Sequence, residues 1–111
     1  MIISYDEFSK VDIRSGRIEK AELNEKARKP AYKVWVNFGV EIGVLQTSAQ
    51  ITNHYTPESL IGKTILGCIN LGEKNIAGFV SQFLMLGFSD LNDDIFLATT
   101  SNNVPNGSKL H

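Results

Sequence analysis

The sequence predicts an all-β domain, a small closed barrel of five strands. Residues 32 to 39 alternate apolar and polar side chains. The stretch Lys63–Leu86 holds two dense apolar runs about a polar turn. Between these regions Thr56-Pro57 has the form of a helix start. Alternation at period two marks a strand with one face buried, and unbroken apolar runs suit strands buried on both faces. A short helix between strands three and four, closing one end of a five-stranded barrel, is the build of an OB-fold.

Residues 4–10 predict a short N-terminal helix. Ser4 can cap it and Glu7 stands three residues on, the capping-box spacing. Tyr5 and Phe8 would share one face. So short a helix must pack on something, its own barrel or a partner chain.

Val11–Leu23 predicts a long first strand with a defect. Val11 and Ile13 hold one apolar register, Ile18 falls in the other, and Ala21 and Leu23 return to the first. A bulge at Ser15-Gly16 would absorb the first slip and bend the strand into both halves of a barrel. Residues 24–31, NEKARKPA, predict a loop. In the second strand Tyr32, Val34, Val36 and Phe38 face one way, Lys33, Trp35 and Asn37 the other. A reversal at Val40-Glu41 leads to a third strand over 41–50.

Thr56 as N-cap, Pro57 at the first helical position and Gly62 as the stop define the linking helix. The central hairpin follows. Ile65–Leu71 and Ile76–Leu86 are its arms and Gly72-Glu73-Lys74-Asn75 its turn. Ile95–Ala98 predicts a last strand, and the tail through Val104–Gly107 a C-terminal extension ending in a brief pairing.

With 111 residues the chain is expected to be one domain, 1–111. The net charge of −1 gives no argument for nucleic acid, a membrane or acidic substrates. Charge is uneven, however. Lys10 to Lys33 holds eight basic and four acidic residues, and Val34 onward three basic and six acidic. Cys68 is the single cysteine, so an internal disulfide is impossible. Neither a signal peptide nor an apolar run near the ~20 residues of a membrane span is visible, so the expected compartment is the cytoplasm, without membrane insertion.

The two histidines, His54 and His111, form no ligand pair, and phosphate-cradling and nucleophile-elbow motifs are absent. Asp93-Asp94 reads as a solvated loop. The expectation is a binding protein and not an enzyme, with no catalytic residues, no metal and no cofactor. Trp35, between Lys33 and Asn37 on the polar side of its strand, suits a stacking platform for unpaired bases. Packing beneath the basic loop, or against a second subunit, satisfies the same pattern. Lys74 and Asn75 in the turn, and Ser81 and Gln82 in an apolar run, are further polar candidates. Hydrogen bonds within the core would also explain Ser81 and Gln82.

Several blocks in order, KVDIRSGRI (10–18), YTPESLIGK (55–63), Asn70-Leu71, GFVSQFLML (78–86) and VPNG (104–107), resemble the tRNA-binding OB-fold family. Length and VLQTSAQIT (44–52) are similar to its free-standing CsaA branch of export-related chaperones. The resemblance implies a five-stranded barrel and a homodimer built from terminal segments, with Tyr5, Phe8, Phe88 and Phe96 as interface candidates. It also marks a departure. The basic central turn usual in tRNA binders reads Gly72-Glu73-Lys74-Asn75 here, Ala77 stands where arginine is common, and Phe83 and Leu84 replace glycine and methionine. Fewer cations weaken phosphate attraction.

Two functions are therefore expected. The first is a homodimeric, non-catalytic, export-related chaperone that holds unfolded or precursor polypeptides through Trp35, Phe79 and Phe83, rimmed by Lys33, Lys74 and Gln82. Both phenylalanines could instead be core. The second is tRNA binding through Lys33, Trp35, Lys74, Asn75 and Ser81.

Overall fold

A computed structural model describes residues 1–111. Five antiparallel strands form one sheet in the order β3-β2-β1-β4-β7: β1 (Ile13–Leu23), β2 (Tyr32–Asn37), β3 (Val44–Ala49), β4 (Thr64–Cys68) and β7 (Leu84–Met85). Two ribbons complete the strands. In one, β5 (Lys74–Ile76) pairs with β6 (Phe79–Ser81); in the other, β8 (Gly87–Ser89) pairs with β9 (Ile95–Leu97). Helices α1 (Tyr5–Ser9) and α2 (Pro57–Leu60) each begin in a reciprocal capping box, on Ser4 and Thr56.

The sheet curls into a nearly closed barrel, the predicted OB-fold. Tyr32, Val34, Val36 and Phe38 all turn inward, as their alternation predicts, and meet Ile18, Ile51, Leu60, Ile65 and Phe83. Phe38 and Phe83 meet edge to face at 5.0 Å. The rings lie over glycines: a Cβ on Gly67 would come within 2.8 Å of both, and one on Gly16 within 2.9 Å of Phe38.

Two expectations about the strands are corrected. Ser15 and Gly16 pair regularly with Leu66 and Ile65, and the register shift falls between Ile18 and Lys20. The bulge thus lies where β1 passes from β4 to β2. Gly16 is needed for space, since a Cβ there would stand 2.5 Å from Val36 Cγ1. Residues 63–86 are also not one hairpin. β4 pairs with β1 and β7, while the tight turn is Ala77-Gly78, both at positive φ, between three-residue arms. Two-residue hairpins need that handedness to match strand twist. Leu71 and Leu84, at 65 % and 51 % exposed, are surface residues.

The seam between β3 and the 80–83 segment is closed partly by side chains. Gln82 N–H donates to the Gln46 carbonyl (2.8 Å), and Gln82 Oε1 accepts from Gln46 N–H (3.0 Å). Gln46 Nε2 donates to the Val80 carbonyl, Ser81 Oγ accepts from Ser48 N–H, and Thr47 Oγ1 donates to the Phe83 carbonyl. The C-terminal extension occupies the β1 edge upstream of β2. Ser15 N–H donates to the Ser108 carbonyl, and Gly107 and Leu110 donate to the carbonyls of Ser15 and Ile13.

Candidate nucleic-acid interface

The outward residues of β1, β2 and β3 form one face, on which register decides the neighbours. Trp35 pairs with Lys20 on one side and Gln46 on the other; Lys33 pairs with Glu22 and Ser48. The β5–β6 ribbon folds against β3 and brings Phe79 to Trp35, ring centroids 5.7 Å apart, edge to face. Lys20 Nζ lies 4.6 Å from the Trp35 ring and Lys33 Nζ 5.2 Å from the Phe79 ring. The result is a strip of two aromatic rings, each with a cation over it. A cation–π contact at an exposed site is worth about 0.5–1 kcal/mol, and base–aromatic stacking about 1–3 kcal/mol per base. An incoming base can therefore displace either ammonium, which then has a phosphate to meet.

The structure divides the predicted residues into two groups. Lys33, Trp35 and Phe79 share the strip. Lys74, Ser81 and Phe83 line a groove of about 380 Å³ beside the ribbon, with Leu71, Ile76 and Leu84. Phe83 is only 4 % exposed, and its ring belongs to the core. Ser81 is buried, and both it and Gln82 are engaged in the seam. Asn75 Oδ1 accepts from Gly78 N–H and shapes the ribbon turn. Lys20 was missed by the sequence reading. The signal was its place two residues after the inward Ile18, but the intervening bulge hid which strand-mate it faces.

The interface candidates lie on the surface. Tyr5 is 75 % exposed, Phe8 half-buried, and α1 buries no residue. Asn70 ties its end down, donating to the Lys10 carbonyl and accepting from Asp12 N–H. Phe88 and Phe96 are cross-strand partners on the β8–β9 ribbon, 72 % and 50 % exposed, and Phe96 stacks on His54 at 3.9 Å.

His54, Asp90 and Asp94 place one potential metal donor each within 4.8 Å. Hydrogen bonds within the protein already engage His54 Nε2, both Asp90 oxygens and Asp94 Oδ1. Asp90 Oδ2 meets His54 Nε2 at 2.8 Å, Asp90 Oδ1 accepts from the amides of Asn92 and Asp94, and Asp94 Oδ1 accepts from Asn53. The His54 hydrogen bond, then these amides, hold the Asp90 carboxyl below its ordinary range. This cluster clamps a loop. At the other end, the Arg14 guanidinium hydrogen-bonds Asp12 at 2.7 Å, which lowers the Asp12 pKa and raises that of Arg14.

A barrel carrying an aromatic–cation strip on its outer sheet face, flanked by loops, has the architecture of oligonucleotide- and oligosaccharide-binding OB-folds. The chain belongs to the family described as "Putative tRNA binding domain", whose model matches residues 13–109. Two chaperone structures are similar over their full lengths. CsaA from Bacillus anthracis str. Ames has a TM-score of 0.94 at 38% identity, covering 100% of both chains. CsaA from Picrophilus torridus has a TM-score of 0.92 at 40% identity, covering 99% of this chain and 100% of that one. A methionine–tRNA ligase of Chlorobium chlorochromatii is 36% identical over 110 residues, which is 97% of this chain but 15% of the ligase.

Proposed function

We propose that this protein binds tRNA without catalysis, using the outer face of its barrel. The observation that carries the reading is the Lys20–Trp35–Phe79–Lys33 strip, two stackable rings with a cation at each. Membership of the tRNA-binding family supports it, as does the likeness to one segment of a methionine–tRNA ligase. Trp35 and Phe79 stack unpaired bases, while Lys20 and Lys33 move to adjacent phosphates. No helix is long and apolar enough to cross a membrane, and the proposed site of action is the cytoplasm. The test is tRNA binding at low and physiological salt. Trp35→Ala should weaken it about 5- to 150-fold, the loss of one stacked base. Binding indifferent to Trp35 at both salt concentrations would refute the reading.

A second reading is favoured by the full-length likeness to the two CsaA chaperones and by the groove beside β5. Here the protein is a homodimer that holds unfolded or precursor polypeptides. Exposed Leu71 and Leu84, with Ile76, give the groove apolar walls, and Lys74 gives it a charged rim. The unburied Tyr5, Phe8, Phe88 and Phe96 would be covered by the second copy. Peptide binding that tracks hydrophobicity and survives high salt would support this reading. Its absence would leave RNA as the ligand.

A further inference from the structure

Asn106-Gly107 is the only asparagine–glycine pair in the chain. After an asparagine, the next peptide nitrogen can close on the carbon of the side-chain amide. A glycine in that place has no Cβ to hinder the approach and leaves the backbone free to make it. By its own chemistry this pair is therefore the asparagine site most open to deamidation. The fold around Gly107 decides when the reaction can run.

The pair lies in the turn by which the C-terminal extension docks on β1. Gly107 N–H donates to the Ser15 carbonyl at 2.8 Å, and the Gly107 carbonyl accepts from the Arg14 guanidinium at 3.0 Å. The buried Ser15 holds the turn on both sides of the pair: its Oγ donates to the Pro105 carbonyl and accepts from Ser108 N–H. Against Phe38 and Gly39 there is no spare room. A Cβ on Gly107 would stand 2.5 Å from the Phe38 carbonyl oxygen, and one on Gly39 2.7 Å from the Asn106 carbonyl oxygen. Asn106 itself is half-buried, and its side-chain amide makes no hydrogen bond within the protein. The carbon to be attacked is thus free, while the nitrogen that would attack it is engaged.

We infer that Asn106 is a deamidation site gated by docking of the C-terminal extension, and that its conversion to isoaspartate releases the extension from β1 permanently. In the docked state Ser15 holds the Gly107 proton in a hydrogen bond. When the extension lifts away, the Gly107 nitrogen gives that proton to solvent and attacks Asn106 Cγ. The N–Cγ bond forms, the Cγ–Nδ2 bond breaks, and ammonia leaves behind a five-membered imide. Water then opens the ring. Opening at the Asn106 main-chain carbonyl leaves a free carboxylate there and routes the chain through Cβ and Cγ. Water is consumed and ammonia released, and no oxidant or other reactant is needed. The product backbone is longer by one carbon and carries a new negative charge. A turn packed this closely on Phe38 and Gly39 does not accept it. Ser15 N–H and the carbonyls of Ser15 and Ile13 then lose their partners in the extension and become an open strand edge. None of this depends on the RNA or the polypeptide reading.

The experiment follows isoaspartate at residue 106 by peptide mapping of the full chain at mildly alkaline pH, beside amide exchange of Gly107. Wild type is compared with the same chain unfolded in guanidinium, with Arg14→Gln and with Asn106→Ala. Folded wild type should react more slowly than the unfolded chain by the factor that protects the Gly107 amide from exchange, since both processes need the same local opening. Arg14→Gln removes a hydrogen bond from a charged donor and should speed both by about 10-fold or more. Asn106→Ala should form no isoaspartate and keep the extension docked. Converted protein, separated by ion exchange, should leave the Gly107 and Leu110 amides unprotected, while the Ile18 amide, bonded to Lys63 within the barrel, stays protected. Isoaspartate forming as fast in the folded as in the unfolded chain would overturn the gate, as would a rate that Arg14→Gln leaves unmoved while exchange accelerates. None at residue 106 in the unfolded chain would overturn the site. Converted protein with Leu110 still protected would overturn the release.

Discussion

Gly16→Ala tests how this barrel is packed. Gly16 lies within β1 and does not have positive φ, so its backbone suits any residue. The cost of a side chain there is steric. An alanine Cβ would stand 2.5 Å from Val36 Cγ1 and 2.9 Å from two ring carbons of Phe38. Neither neighbour can retreat. Val36 and Phe38 are 0 % and 1 % exposed, and Phe38 is bounded by Gly67 and by the ring of Phe83. Overpacking of a dense core costs about 1–3 kcal/mol, and three sub-3 Å contacts with two fixed side chains place this case near 3 kcal/mol. For a domain of this size that lowers the midpoint of thermal unfolding by roughly 12 °C. Chemical denaturation and calorimetry measure both quantities. The second arm is Val36→Ala, which removes the methyl nearest the new Cβ. Alone it should cost about 1–2 kcal/mol through the space it leaves. In the Gly16→Ala background it should cost at least about 1 kcal/mol less, because cavity and intruder fit each other. Gly16→Ala within about 0.5 kcal/mol of wild type, or strict additivity in the double variant, would refute the packing argument.

Gln82→Ala should destabilise the protein by about 1 kcal/mol, since the half-buried Gln46 N–H loses its acceptor in the seam. Amide exchange of Gln46 should accelerate with it, and unchanged exchange would show that the seam closes without this side chain. The lowered Asp12 pKa sets an acid limb on stability. Its contribution is full above the unfolded carboxyl value of about 3.9 and is lost as pH falls through the lower folded value. Protection of the Gly107 and Leu110 amides, which pair with β1 beside Arg14, should fall in that window. Asp12→Asn should abolish the pH dependence; an unchanged profile would place its cause elsewhere. Sedimentation should show a dimer at micromolar concentration that Phe8→Ala weakens. A dimer that survives Phe8→Ala with only lower stability would assign Phe8 to its own subunit.

The site shows how far residue patterns reach. Trp35 was legible because a large aromatic stood on the polar register of an otherwise regular strand. Its company was less so. Lys33 lies two residues away and could be read, whereas Lys20 and Phe79 reach the strip only through strand pairing and the folding of a ribbon. Ser81 and Gln82 read equally as binding or internal residues, because sequence does not say whether a polar group meets a ligand or a neighbouring strand. The 76–79 turn was missed because Ala77 takes positive φ, which residue type alone does not announce.

The chain by itself determined the class of fold. Alternation in β2, the helix caps at Ser4 and Thr56 and the order of strands and helices all follow from local chemistry that every conformation of the chain carries. It also determined the inward set of Tyr32, Val34, Val36 and Phe38, because a strand's period of two leaves no choice once one face is buried. Tertiary structure decided where the bulge falls, which apolar residues of 63–86 reach the core, and what Trp35 touches. Those outcomes depend on the space left by neighbours distant in sequence. Gly16 illustrates the division: its identity suggested a bend, and Val36 and Phe38 showed that it makes room for them.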